Sequence, residues 1–422
     1  MRVDTGGRDL AVDVARLGAL LVVVFGHCAL LLATIDDGTV RIGNLLGEVP
    51  ELRPVTWLVQ VMPLFFFAGG AAGAYGYHGT PWGTWLFTRA QRLCRPVFWY
   101  LAFWAVVLLA VRATMGPVSE SRLGGEAVAL LWFLGVYLIT LAFVPALVRL
   151  DSTRAVLGLL VALLAAAGLV DAVRIVTGGA GWGVPNFLFV WLVPVLIGVG
   201  YARALLRPGP AAAIAAAAFA AAVALATTDR YEVALVVTGV EEFSNVSPPS
   251  LLLALHATWV SCAFVVVAAP VGRWARRPRV LRPLIAGNRG AMTLYLWHIP
   301  VIAATAVLLH LAGQDAYDVD APGFWGRLAL RAAVFAVLMT VAFVVLAPLE
   351  HRPLPWWDAP AGGGGPASVA AGVLVCVAGI TLVVLAKHGL RGADGWTALG
   401  LFVAAAVAAR SCRPHSVGSP RD

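Results

Sequence analysis

The sequence predicts an all-α, polytopic helical membrane protein, because it carries too much apolar material and too little charge to build a water-facing surface. Sixty per cent of the 422 residues are hydrophobic and only 12 per cent are charged, where a soluble chain of this size has about a quarter of its residues charged. The mean hydropathy is +0.86. The apolar residues also fall into runs of the roughly 20 residues that a helix needs to cross hydrocarbon.

Twelve such runs follow one another, near residues 10–33, 56–77, 92–114, 126–148, 153–174, 186–205, 211–228, 249–272, 291–312, 327–350, 366–388 and 395–410. The first is a span and not a cleaved leader. Its apolar stretch is too long, and no small-residue cleavage site precedes Ile35-Asp36-Asp37. The second holds Met62-Pro63-Leu64-Phe65-Phe66-Phe67-Ala68-Gly69-Gly70-Ala71-Ala72-Gly73, in which Gly69-x-x-x-Gly73 permits close helix approach. The seventh is almost pure alanine, and its loss would invert everything downstream. The stretch Ala361-Gly362-Gly363-Gly364-Gly365-Pro366 is flexible by composition and sets a boundary. Residues 1–353 form a ten-span domain, and residues 354–422 add a Gly-rich linker, two further spans and a short basic tail. The loops 34–55 and 229–248 are too short to hold a core and long enough to form a lid.

Charge orders the spans. With the amino terminus in the cytoplasm, 19 of the 30 basic residues fall on cytoplasmic segments, ten fall outside (Arg331 among them), and Arg16 sits inside the first span. The acids gather on the other side: Asp36, Asp37, Glu48 and Glu51; Asp229, Glu232, Glu241 and Glu242; Asp315, Asp318 and Asp320. This is the positive-inside pattern, alternating through all twelve spans and placing both termini in the cytoplasm of a cell (inner) membrane. The net charge of +8 is spread over short loops, so the partner expected is the lipid bilayer and not nucleic acid. Five scattered cysteines form neither a disulfide framework nor a metal pattern, and no metal is expected.

Charged groups at depth in a membrane are costly and are candidates for function. In the first span Arg16 and His27 lie eleven positions apart, about three turns plus 20°, so they share one helix face about 16 Å apart. His27 lies past the bilayer centre among apolar neighbours; an imidazole there is either a structural hydrogen-bonding group or a general base. The third span opens on Phe87-Thr88-Arg89-Ala90-Gln91-Arg92-Leu93-Cys94-Arg95-Pro96. Its three arginines step by three along one stripe, an arrangement that suits bidentate phosphate binding and also suits a plain topology anchor. The ninth span opens on Gly287-Asn288-Arg289-Gly290 and then Leu294-Tyr295-Leu296-Trp297-His298-Ile299-Pro300. Here Tyr295 and His298 are pocket candidates against an interfacial aromatic belt. Glu350, closing the tenth span, is a further substrate-binding candidate, or pairs with a nearby arginine.

Taken together, these elements resemble the acyltransferase-3 family of bacterial multi-span membrane acyltransferases. That family places an Arg, ten residues and a His in its first span, a Phe- and Gly-rich second span, a spaced Arg motif at the third, and a Leu-Tyr-Leu-x-His-x-Pro-like run near the ninth. The resemblance covers about residues 8–353. It implies transfer of an acyl group, expected to be acetyl, from cytoplasmic acyl-CoA to a carbohydrate, lipid or metabolite acceptor, with O-acylation favoured over N-acylation. It implies that His27 is the base or the transient acyl carrier, that Arg89 and Arg92 hold the CoA phosphates with support from Arg95, and that Arg16 assists at the cytoplasmic mouth. The extended pantetheine arm of CoA is comparable in length to the rise from Arg16 to His27. Some members of the family carry a soluble hydrolase-like domain, which is not expected in residues 1–422. The competing function is a proton-coupled carrier or flippase using His27 and His298 as relay groups; it lacks the inverted repeats such folds show.

Overall fold

The computed structural model describes residues 8–359 and 364–412. Among the described residues, eleven helical stretches are long and apolar enough to cross a membrane. One of them, Trp82–Leu147, has 66 residues, about 100 Å if straight, against roughly 30 Å of hydrocarbon. It holds both the third and the fourth predicted runs. The helices are α1 (Leu10–Leu30), α2 (Met62–Tyr75), α3 (Trp82–Ala129), α4 (Leu131–Leu141), α5 (Thr153–Thr177), α6 (Asn186–Ala202), α7 (Pro208–Ala226), α8 (Leu251–Ala275), α9 (Pro278–Arg289), α10 (Ala291–Leu311), α11 (Phe324–Glu350), α12 (Pro355–Asp358), α13 (Pro366–His388) and α14 (Gly392–Ser411). The chain is an all-α polytopic membrane protein, and the alanine-rich seventh run is helical as expected.

Contacts divide it into two units. The first comprises residues 1–26, 49–76 and 146–291, and the second residues 27–48, 77–145 and 292–422. In the first unit α2 and α6 lie backbone against backbone. A Cβ on Gly198 would run into the Phe67 carbonyl, and one on Gly70, beside the Gly69–Gly73 pair, into that of Val195. Close approach lets the rings interleave, Phe66 stacking on Trp191 with centroids 4.6 Å apart. A buried carboxylate ties the loops of this unit to its helices. Asp171 accepts hydrogen bonds from the Leu251 amide at 2.6 Å, the Tyr231 hydroxyl at 3.1 Å, Asn186 at 3.1 Å and Arg174 at 3.0 Å. A buried charge is tolerable only when so fully partnered.

The second unit takes the last turn of α1, a hairpin, α3, α4 and α10 to α14. The first predicted span ran to residue 33, but the helix stops at Leu30, and Leu31–Asp36 (β1) pairs with Thr39–Asn44 (β2) in an antiparallel hairpin. Its turn places Asp37 at φ 45° and Gly38 at φ 71°. Asp-Gly is the sequence that favours the type I′ turn, whose twist matches paired strands. The outer edge of β2 is covered: the Val40 amide donates to Ser119 Oγ at 3.3 Å, and Arg122 donates to the Val40 carbonyl at 2.6 Å. Helix α3 is broken at Gly116 (φ 82°, ψ 176°), followed by Pro117. Glycine allows that φ, and a proline in the next first turn costs no hydrogen bond. The break separates the third span from the fourth.

The two C-terminal helices belong to this second unit. Helix α13 lies on α3 and α4 with almost no space between backbones. A Cβ at Gly83 would strike the Ser368 carbonyl, and one at Gly135 the Gly379 carbonyl. Thr84 and Ser368 hydroxyls meet at 3.0 Å. The Gly-rich linker falls largely outside the described residues, but the helices after it are packed as part of the unit.

These close approaches can be tested against a glycine that touches nothing. Gly135→Val is expected to lower stability by about 1–3 kcal/mol or more through overpacking. Gly158→Val, where nothing lies within 4 Å of the added carbon, is expected to leave it unchanged. The melting temperature of each detergent-purified variant reads the difference.

Candidate active site

The second unit brings together two of the residues singled out in the sequence. His27, in the last turn of α1, and His298, in the second turn of α10, meet with Nδ1 of His27 2.9 Å from Nε2 of His298. The ring planes are 8° apart and the centroids 5.2 Å apart. The centroid separation exceeds the nitrogen–nitrogen distance by about one ring diameter. The rings therefore lie edge to edge in nearly one plane, which is the geometry of an in-plane hydrogen bond and not of face-to-face stacking. His298 is fully buried and His27 half-buried.

The backbone decides which nitrogen carries which proton. Nδ1 of His298 lies 3.2 Å from the Leu294 carbonyl, one turn earlier on α10. A carbonyl only accepts, so in the neutral pair Nδ1 of His298 holds the proton and its Nε2 offers a lone pair. Nδ1–H of His27 donates to that lone pair. Nε2 of His27 is left unprotonated, a basic and nucleophilic nitrogen held in orientation by its neighbour. If His27 takes up a proton on Nε2, the hydrogen bond to neutral His298 persists and the charge faces an acceptor.

Against Cys28, the residue after His27, stands an arginine that the charge pattern assigns to an outside segment. Arg331, two turns into α11, is 2 % exposed. It donates to the Leu31 carbonyl, at the join between α1 and β1, and its guanidinium meets the Cys28 thiol. A cation on the free carbonyls at a helix C-terminus is well placed electrostatically. The signal was present in the sequence: Arg331, Phe335 and Met339 recur at four-residue spacing, and all three are buried on α11. Arg331 thus belongs to the inward stripe of its helix and not to a loop.

The remaining candidates separate. Tyr295 is buried and its hydroxyl donates to the Leu130 carbonyl at 2.5 Å, where α3 gives way to α4, with Phe133 against its ring. Glu350 has Thr293 as its partner, in place of the nearby arginine considered above. Its Oε2 accepts from the Thr293 amide at 2.9 Å and hydroxyl at 2.8 Å, so the end of α11 caps the unsatisfied first turn of α10. On α3, Arg89 lies over the Trp85 ring at 3.7 Å and Arg92 is exposed. Arg95 is paired with Asp358 at 3.1 Å. Arg16, half-buried, lies on the part of α1 that belongs to the first unit, along the same unbroken helix as His27.

A family model described as an acyltransferase domain matches residues 9–347, four-fifths of the chain. The chain belongs to the acyltransferase-3 family. No curated protein and no solved structure matches it. The matched region contains the histidine pair, Arg331, Arg16 and the arginine stripe. It stops before Glu350, and before the Pro355–Asp358 turn that meets Arg95. The protein is therefore a membrane acyltransferase, and the histidine pair is the group within the matched region best arranged for proton transfer or nucleophilic attack.

If Glu350 acts only as a cap, its loss should lower stability and leave chemistry alone. Glu350→Gln is expected to cost about 1–3 kcal/mol, the range for a hydrogen bond to a charged group, with turnover per folded molecule unchanged. Thermal melting paired with an activity assay normalised to folded protein checks this. A fall in turnover at equal folded protein would return Glu350 to the substrate site.

Proposed function

We propose that this chain transfers an acyl group, expected to be acetyl, from cytoplasmic acyl-CoA to the hydroxyl of a carbohydrate, lipid or metabolite acceptor. The observation that carries the reading is the His27–His298 hydrogen bond, whose backbone-set tautomer leaves Nε2 of His27 free to act. The family supports acyl transfer in general. The donor, the acetyl group and hydroxyl specificity rest on the arginine stripe, the buried base and the sequence resemblance.

In the reaction so read, Nε2 of His27 removes the acceptor hydroxyl proton as that oxygen attacks the thioester carbonyl. His298, neutral and already accepting from Nδ1–H, holds the resulting imidazolium in place. Collapse of the tetrahedral intermediate breaks the carbon–sulfur bond, and the thiolate of CoA takes the proton from Nε2. The ester leaves, CoA leaves as the thiol, and His27 returns to its starting tautomer. The same lone pair would attack the thioester first if His27 carries the acyl group between donor and acceptor. Arg89 and Arg92 are the residues proposed to bind the phosphates of CoA, Arg95 supports them, and Arg16 assists at the cytoplasmic mouth. That orientation follows from the excess of arginine on one set of loops.

Transfer of label from radioactive acetyl-CoA in membranes bearing the wild-type chain or its variants tests the reading. His27→Ala is expected to lose about 10²–10⁴-fold in rate, the usual contribution of a general base. Normal transfer by that variant at equal folded protein would overturn the proposal. No turnover of any acyl-CoA by the wild type, with net movement of an amphiphile, would favour a carrier.

His298 gives a second, more specific expectation. His298→Ala removes the acceptor that fixes the tautomer and is expected to slow transfer by about 10²-fold or more. His298→Asn, whose amide oxygen can accept from Nδ1–H of His27, is expected to recover part of that loss. Equal rates for the two variants would separate His298 from tautomer control.

A further inference from the structure

A short turn beyond the family match is fastened to the arginine stripe more firmly than a loop between two spans requires. Four hydrogen-bonding groups hold it. Arg95 binds the Asp358 carboxylate at 3.1 Å, and the same carboxylate oxygen accepts from the Leu354 amide at 2.8 Å. Gln91 and Trp357 exchange bonds: Gln91 Nε2 donates to the Trp357 carbonyl at 2.6 Å, and the Trp357 indole N–H donates to the Gln91 carbonyl at 2.9 Å. Arg410, 1 % exposed on α14, donates from Nε to the Trp356 carbonyl at 2.8 Å.

Two adjacent tryptophans in this turn meet opposite fates. Trp357 is 2 % exposed, set between Phe87 and Phe98 with centroids at 5.7 and 5.1 Å. Trp356 is 49 % exposed, with its ring 6.2 Å from that of Trp357. The second indole therefore stands clear on a backbone that cannot easily yield. The turn that carries it is fastened at Trp357 to Gln91 and at Asp358 to Arg95, residues that flank the exposed Arg92. Arginines at this three-residue spacing are neighbours on a helix surface, about 5–6 Å apart at Cβ. In a nucleotide ligand, one ribose separates the base from the phosphates. An exposed π-face on a turn bonded to the arginine helix fits a ligand that presents a flat base beside its phosphates, because base–aromatic stacking needs no particular hydrogen-bond pattern.

We propose that the Pro355–Asp358 turn completes the donor site: the exposed Trp356 indole is the stacking platform for the purine base of the acyl-nucleotide, and Asp358 orients Arg95 beside its phosphates. The inference rests on the acyl-CoA reading above. It gives the two C-terminal helices a part in the chemistry, since Arg410 of α14 holds the carbonyl of the platform residue itself. Asp358 acts as a positioning residue, with Arg95 given over partly to it, which leaves Arg89 and Arg92 as the direct phosphate ligands.

An exposed tryptophan at a membrane edge also serves as an interfacial anchor, and truncated donors distinguish the two roles. For Trp356→Ala, KM for acetyl-CoA is expected to rise roughly tenfold, within the range that stacking of one base commands, with kcat essentially unchanged. KM for acetyl-pantetheine, which lacks the nucleotide, is expected to stay at the wild-type value. Trp356→Phe, which retains a π-face, is expected to recover most of the loss. Melting temperatures of the purified variants show that the exposed site tolerates the change. Equal shifts for both donors, or no shift for acetyl-CoA, would overturn the platform while leaving the transferase reading intact. Failure of the wild type to use acetyl-CoA or any longer acyl-CoA would instead overturn the reading on which it rests.

Discussion

In hydrocarbon every backbone amide and carbonyl must find its partner within the protein, and the second unit is organised around that demand wherever a helix stops or breaks. At the end of α1, Arg331 takes the Leu31 carbonyl. At the start of α10, Glu350 takes the Thr293 amide. At the joint of α3 with α4, Tyr295 takes the Leu130 carbonyl, and Tyr100 takes that of Ala127. Side chains that look catalytic in a list are here completing the backbone. His27 differs in kind: its bond runs to another side chain, and its second ring nitrogen is not needed by the fold. That freedom is what the proposed chemistry uses.

The same demand explains why the site lies where helix gives way to strand. A hairpin supplies partners between its strands, and Ser119 and Arg122 of α3 supply them to Val40 on the outer edge of β2. The chain leaves the helical state just past His27 with the backbone of its two strands partnered to each other. The hairpin also carries backbone from the histidine pair toward acidic loop residues, Asp36 and Asp37. The first unit meets the same demand at its own break. Where helix stops at Gln60, the Gln60 carbonyl meets His256 and the Gln60 side chain donates to the Leu235 carbonyl, while glycine contacts between α2 and α6 and the Asp171 network hold the rest.

Much of the architecture was legible from the chain alone. The apolar runs marked every long helix, because the length of a span is dictated by the thickness of lipid and not by neighbours. Lipid imposes no such rule on helix ends. The first run was read to residue 33, and the Asp37-Gly38 turn, a local signal for a hairpin, went unused. The runs 92–114 and 126–148 come from window length alone; in the structure they lie on one Trp82–Leu147 stretch kinked at Gly116. Arg331 was misplaced because an arginine near the end of an apolar run looks the same whether it faces the surface or the core; only its phase with Phe335 and Met339 distinguishes the two.

The sequence by itself determined the all-helical polytopic fold, a consequence of composition, and the positions of His27, His298 and the arginine stripe along their spans. The family came from the resemblance of these motifs taken together, and the family match over residues 9–347 shows it. Tertiary structure alone decided which residues act together. His27 and His298 are 271 positions apart, and no periodicity links residues on different helices. Whether a buried histidine is base, relay or ballast depends on the partner of each ring nitrogen, and that partner is chosen by packing. The same holds for Asp358, which reads as a loop acid until the fold sets it against Arg95.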